Sequence, residues 1–225
     1  MALDAHPALK TALVTGGNRG IGLAIAQGLV HDHRVFMGVR DLIQGRRIAA
    51  EIGAQAVYLD LEDPDSYGPA LTEIGGVDVL INNAGVLIET GLTVDPLGFE
   101  TSMQVMVHGP YHLIGACVPH MQAQGWGRIV NLSSDWGSFA EGLKGPGAYG
   151  VAKAALNALT KALSRDLPDG IKINACCPGW VATRMGGDQA PRTPEHGAHT
   201  PLWLARLGTD GPTGGFFRDQ APMEW

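Results

Sequence analysis

The hexapeptide AYGVAK, residues 148–153, sets a phenol and an amine four positions apart. It opens onto AALNALTKALSRDL, whose apolar residues recur at helical spacing. That spacing places Tyr149 and Lys153 one turn apart on one helical face. Such a pair is ordinary on a helix surface, where it does no chemistry. Held close, the ammonium would favour phenolate and lower the phenol pKa from about 10, making Tyr149 an acid or base near neutral pH. The other groups brought to the same place decide between the two readings.

A second stretch with chemical content is TGGNRGIG, residues 15–22, in which Gly16, Gly20 and Gly22 fall between an apolar run and a helical segment. Missing side chains there let backbone N–H groups approach a phosphate at a helix N-terminus. The spacing G-x-x-x-G-x-G differs from the usual G-x-G-x-x-G dinucleotide fingerprint. About 18 residues beyond Gly22, where NAD-binding folds commonly carry an acid for the ribose hydroxyls, stands Arg40. A guanidinium grips a 2′-phosphate that a carboxylate would repel, and Arg19 can approach it from the glycine turn. The pair points to NADP(H), with Asp41 one residue later as the opposing signal.

The elements needed to position these groups can be read along the chain. Apolar runs at TALVTG (11–16), RVFMGVR (34–40), QAVYLDL (55–61), VDVLINNAG (77–85), RIVNLSS (128–134), IKINACCPG (171–179) and GGFFRD read as strands, with helix-compatible segments between, including a long one near 98–123. Strands apolar on both faces that alternate with helices predict an α/β, doubly wound parallel sheet with helices on both faces. Ligands of such sheets bind beyond the carboxyl ends of the strands. TGGNRG, Arg40, Asp60 with Leu61, NNAG, SSDWG and PGW would gather along that edge.

The 225 residues, 45% hydrophobic and 17% charged, suit one domain spanning 1–225. A net charge of −6 and a pI near 5.7 give no general attraction to nucleic acid or an anionic membrane. The opening MALDAHPALK has the pattern of neither a signal peptide nor a membrane span. Cys117, Cys176 and Cys177 make no disulfide framework and read as small buried hydrophobes in a reducing cytosol. The histidines in HDH (31–33) and at 108, 112, 196 and 199 mimic ligand spacings but lack accompanying Cys or carboxylate ligands, so no metal is expected.

Taken together, TGGNRGIG, NNAG, the serine of SSDWG, YGVAK and PGWVATRM resemble, in order and approximate spacing, the short-chain dehydrogenase/reductase family. The segment TPEHGAHTPLWLARLGTDGPTGGFFRDQAPMEW is similar to its carbonyl reductase branch. The resemblance implies a Rossmann fold, NADP(H) and no metal. It assigns Ser134, Tyr149 and Lys153 to catalysis, with Ser134 donating to the substrate oxygen, Tyr149 giving it a proton and Lys153 binding ribose and, with the positive oxidised nicotinamide ring, lowering the Tyr149 pKa. It assigns cofactor contacts to the glycine-turn residues Gly16, Asn18, Arg19, Gly20, Ile21 and Gly22, and to Arg40, Asp60, Leu61, Asn83, Pro178, Gly179, Val181 and Thr183. The implied function is NADPH-dependent reduction of a ketone or aldehyde, reversible as alcohol oxidation, by a cytoplasmic protein acting on a small molecule, as a homodimer or homotetramer.

Two features depart from the family. Met106 in QVMVHGPY stands where the family has an asparagine that helps hold a water linking the lysine to solvent, and a thioether accepts only weakly. His108, two residues on, points elsewhere and is no replacement. Between Met185 and Thr193 only GGDQAPR remains, too little for a helical lid, so an open pocket is expected. Trp136, Phe139 and Trp180 could line it, although the usual burial of large aromatics favours packing roles for each. Two other functions compete: a cofactor-binding sensor or interaction protein, against which the intact Ser134, Tyr149 and Lys153 argue, and a ketoreductase of acyl-carrier thioesters, against which the tail and short lid weigh.

Overall fold

A computed structural model describes residues 9–225; the reading of the opening segment as neither signal nor membrane span falls mostly outside them. One eight-stranded sheet runs in the order β3-β2-β1-β4-β5-β6-β7-β8. Its strands are β1 (Lys10–Thr15), β2 (His33–Val39), β3 (Gln55–Tyr58), β4 (Val79–Asn82), β5 (Gly127–Leu132), β6 (Ile171–Cys176), β7 (Phe216–Arg218) and β8 (Ala221–Pro222). All pairings are parallel except β7 with β8. The order reverses between β1 and β4, the switch point where such sheets open a crevice. Every strand read from the sequence is present. The addition is β8, which folds back through Asp219 (φ 53°) and Gln220 (φ 62°), the two left-handed residues of a tight hairpin.

Successive strand residues feed opposite faces, which explains why the strands are apolar throughout. Ala12 and Val14 join Val79, Ile81 and Val130 on one face, under α1 (Gly20–Leu29), α2 (Leu42–Ile52) and α7 (Pro194–Ala205). Leu13, Leu80, Ile129 and Ile173 join the other, under α3 (Tyr67–Ile74), α5 (Gly109–Gln124) and α6 (Tyr149–Leu163). The long segment near 98–123 is α4 (Pro96–Met103), one π turn over Gln104–His108, and α5. Helix α7 was not read from the sequence; Thr193 caps it by accepting the His196 N–H, and Pro194 opens it.

At the start of β5 the Arg128 guanidinium is fully buried, donating to the carbonyls of Leu207, Gly127, Gly170 and Gly208. Four acceptors replace its lost water, while desolvation holds its pKa down at about 10. This bolts the strand-start end and leaves the other end to the polar loops. Among the described residues no helix is long and apolar enough to cross a membrane.

Candidate active site

The loops after β1, β4, β5 and β6 meet at the carboxyl edge of the sheet. Gly16 (φ 64°) and Gly20 (φ 52°) hold left-handed conformations in the turn into α1. A Cβ on Gly22 would collide with the Gly16 carbonyl and stand 2.5 Å from the Asn83 amide, so only glycine lets the helix approach so closely. Asn83 Nδ2 donates to the carbonyls of Thr15 (2.8 Å) and Gly16 (3.3 Å), and Thr15 Oγ1 accepts the N–H groups of Asn83 and Ala84. Thus Asn83 pins β4 to the turn. Arg19 is exposed at the N-cap of α1, which has no side-chain cap and no acid in its first turn. Open N–H groups, a cradle that only glycine permits and a nearby guanidinium fit an anionic dinucleotide. Asn18 reaches Gln44, and Ile21 packs toward α7.

At the end of β2, Arg40 is exposed and its Nη1 lies 3.1 Å from Glu62 Oε1. The opposing signal from Asp41 dissolves: its carboxylate caps α2 by accepting the Gln44 N–H. Asp60 accepts the Glu62 N–H. The Leu61 side chain is in the core, and its carbonyl accepts from Tyr67 and Gln104, so any contact from Leu61 to a ligand at this edge must come from its backbone.

Tyr149 opens α6, buried, with Lys153 one turn on; Lys153 Nζ lies 5.5 Å from the Tyr149 ring centroid and donates to the Leu132 carbonyl at 2.6 Å. Ser134, after β5, caps a short 3-10 turn (Asp135–Gly137), accepting the Trp136 N–H at 3.1 Å. The lowering expected of Tyr149 calls on Lys153 together with the oxidised nicotinamide ring; the protein by itself acts the other way. Burial drives the phenol above its ordinary range, the Cys177 thiol and Asp135 add to that, and Ser134 opposes it. Burial likewise brings Lys153 down to about 8. Lys153, whose ammonium donates to the Leu132 carbonyl, does not offset the upward push on the phenol. A phenol pushed this way holds its proton more firmly and is placed to donate it.

Met106 is fully buried in the π turn. Its Sδ and Lys153 Nζ flank Gly85, 3.6 and 3.7 Å from where a Cβ there would stand, so the thioether occupies space beside the amine. His108 is exposed.

The loop after β6 covers the glycine turn: a Cβ on Gly20 would lie 3.2 Å from Thr183 Cγ2, and Val181 is buried and bridges to Arg192. Arg192 was not singled out in the sequence. It donates to the Pro178 carbonyl (3.4 Å), lies where a Gly179 Cβ would be, and forks onto Asp219 at 2.6 and 2.9 Å. No helix forms between Val181 and Arg192, so the lid is short. The packing roles favoured for the aromatics are corrected: Trp136, Phe139 and Trp180 are 39%, 73% and 57% exposed. Trp136 stands edge-on to Tyr149 and Trp180 Nε1 donates to the Gly186 carbonyl, whereas Phe139 simply projects outward. The cysteines are buried and free, but Cys177 is more than a packing group, since its sulfur accepts the N–H groups of Asp135 and Gly179.

Two hollows, beside Leu207 and beside Val77, are lined by none of these groups. Among the described residues no three His, Cys, Asp or Glu side chains converge as metal ligands would.

A glycine-cradled helix start, a buried Tyr–Lys pair and a serine on the neighbouring loop, at the switch point of a doubly wound sheet, define a dinucleotide-dependent oxidoreductase architecture. Residues 10–193 match the short chain dehydrogenase family model, and the chain belongs to that family. It is 32% identical to carbonyl reductase (NADPH) 1 of Macaca fascicularis, over 96% of this chain and 99% of that protein. It is also 32% identical to carbonyl reductase (NADPH) 3 of Mus musculus, over 96% and 98%. Among solved structures, carbonyl reductase Sniffer of D. melanogaster matches with a TM-score of 0.85 at 29% identity, covering 96% of this chain and all of that one. The NADPH bound carbonyl reductase from chicken fatty liver matches with a TM-score of 0.84 at 27% identity, covering 96% and 99%. The first alignment runs over 278 positions against the 225 residues here, so that relative carries insertions this chain lacks.

Proposed function

We propose that this chain, as one domain, is an NADPH-dependent carbonyl reductase that delivers hydride to a ketone or aldehyde, with Tyr149 as the general acid. The observation that carries the reading is the buried Tyr149 beside Lys153, next to Ser134 and across from the glycine turn. When bound, the nicotinamide supplies the hydride, which leaves proton handling to side chains. Arg19 and the turn at Gly16–Gly22 would hold its phosphates, Arg40 the 2′-phosphate, and Lys153 the ribose hydroxyls. Tyr149 Oη, kept protonated by burial, releases its proton to the carbonyl oxygen as charge develops there. Ser134 is placed to steady the same oxygen, once its hydroxyl turns from Asp135, to which it donates at 3.0 Å. Exposed Trp136 and Trp180 on a loop edge without a helical lid leave the site open to bulky apolar carbonyls. Three free cysteines suit a reducing, cytoplasmic setting.

The test is NADPH oxidation followed against small, aromatic and thioester carbonyls. Turnover of aromatic ketones or aldehydes supports the proposal. Turnover confined to thioesters would reassign the chain to acyl-carrier ketoreduction, and no turnover with any carbonyl would refute it.

A further inference from the structure

The catalytic serine has a partner that carbonyl reduction does not itself require. Asp135 Oδ1 accepts the Ser134 hydroxyl at 3.0 Å and the Trp136 N–H at 3.1 Å, and faces the Cys177 thiol at 3.6 Å. Its Oδ2 lies 3.7 Å from Arg218 Nη1, while Arg218 Nη2 donates to Glu141 Oε1 at 3.0 Å. Arg218 ends β7, and the chain that follows is fastened to the loop after Ser134: Ser138 Oγ donates to the Glu224 carbonyl (3.1 Å) and the Ala140 N–H to the Trp225 carbonyl (3.0 Å). The last strands therefore form a wall behind the serine, and Arg218 is where that wall meets its carboxylate.

The titratable and charged groups around Tyr149 are few. Lys153 faces it from its own helix, Asp135 from the 3-10 turn and Cys177 from the end of β6, with Arg218 behind Asp135. Burial and the Asp135 charge hold the Cys177 thiol up at about 11, so it is uncharged at neutral pH. Among the described residues Asp135 is then the full negative charge that acts against phenolate, a smaller influence than burial. A carboxylate there grips the serine proton more strongly than a neutral acceptor would, and its charge opposes ionisation of the tyrosine.

We propose that Asp135 is a positioning residue for this site, holding the Ser134 hydroxyl until a carbonyl oxygen replaces the carboxylate as its acceptor and placing a negative charge beside Tyr149, with Arg218 setting how much of that charge is felt. The proposal rests on the reading of Tyr149 as the acid, and makes the last strands part of what sets the pH range over which the tyrosine works.

The test uses Asp135→Asn, which keeps an acceptor for Ser134 and removes the charge, together with Arg218→Gln and the double variant. Tyr149 ionisation is followed in the NADP+-loaded protein by the 13Cζ resonance of labelled tyrosine, assigned by Tyr149→Phe, and in parallel by the pH profile of NADP+-linked alcohol oxidation. Asp135→Asn is expected to bring ionisation to lower pH. Arg218→Gln is expected to move it up, and the double variant to match Asp135→Asn. Should Asp135→Asn not fold, Glu141→Gln decides, because it frees Arg218 for Asp135 and must lower the transition. A resonance that titrates unchanged in Asp135→Asn, or an Arg218→Gln effect that persists without the carboxylate, overturns the proposal; a cap alone would change melting and leave the resonance in place. Wild-type protein inert toward every carbonyl would sink the reductase reading, and the resonance would still decide the role of Asp135.

Discussion

Replacing Arg40 with alanine should weaken NADPH selectively, and the structure bounds by how much. A hydrogen bond to a charged group contributes about 1.5–3 kcal/mol. The Arg40 side chain is 61% exposed, which screens the interaction, and Glu62 already holds one of its nitrogens. An exposed pair of this kind is worth about 0–1 kcal/mol, so exchanging Glu62 for a phosphate costs little but not nothing. The net loss expected for Arg40→Ala is about 1–2 kcal/mol, or roughly five- to thirtyfold in NADPH affinity. NADH affinity should hardly move. Glu62→Gln removes the competitor and should tighten NADPH by a few fold. Dissociation constants for both cofactors by fluorescence titration, at low and high salt, measure these effects, and the NADPH preference should shrink with salt. Equal losses for NADPH and NADH in Arg40→Ala would refute the assignment of the 2′-phosphate to this guanidinium.

Met106→Asn should raise turnover roughly two- to tenfold, the kinetic equivalent of one recovered neutral hydrogen bond of about 0.5–1.5 kcal/mol. It should also lower the melting temperature, because the side chain is fully buried; unchanged turnover with an unchanged solvent isotope effect would show that no relay passes this position. Asp32→Asn should lower the melting temperature at neutral pH. Chiefly because of its hydrogen bonds with Arg206 (2.7 and 2.9 Å), the Asp32 carboxyl is held at about 2 instead of 3.8. A depressed folded-state pKa gives stability that is complete above 3.8 and fades as pH falls through about 2, so the melting curves of the two proteins should converge over that interval and stay apart above it.

The groups that could be read from sequence are those whose spacing is itself the signal. Tyr149 and Lys153 sit one turn apart because four residues of helix put them there, and the glycines at 16, 20 and 22 announce a turn that only they can make. The strands were legible because both sheet faces are covered, which leaves unbroken apolar runs. Helix α7 was harder: Gly197 and Pro201 interrupt its pattern, although Thr193-Pro194 is a recognisable start. The Arg192–Asp219 fork and the Arg218–Asp135 contact join segments that only the order of β5, β6 and β7 brings together. No local pattern encodes them. The upward push of burial on Tyr149 was not legible for a related reason, since spacing reveals a neighbouring ammonium but not the depth at which both groups are buried. Burial also misled for Trp136, Phe139 and Trp180, which stand on the loops after β5 and β6 and remain exposed.

The central claim is that Tyr149 gives the proton, and Tyr149→Phe tests it with the smallest change, the loss of one hydroxyl. NADPH binding, measured by calorimetry, should be retained, because the glycine turn, Arg40 and Lys153 are untouched. Turnover of whichever carbonyl proves best should fall by about 10²–10⁴-fold, the usual contribution of a positioned general acid. Intact NADPH binding together with turnover near that of the wild type would contradict the account and require another proton donor.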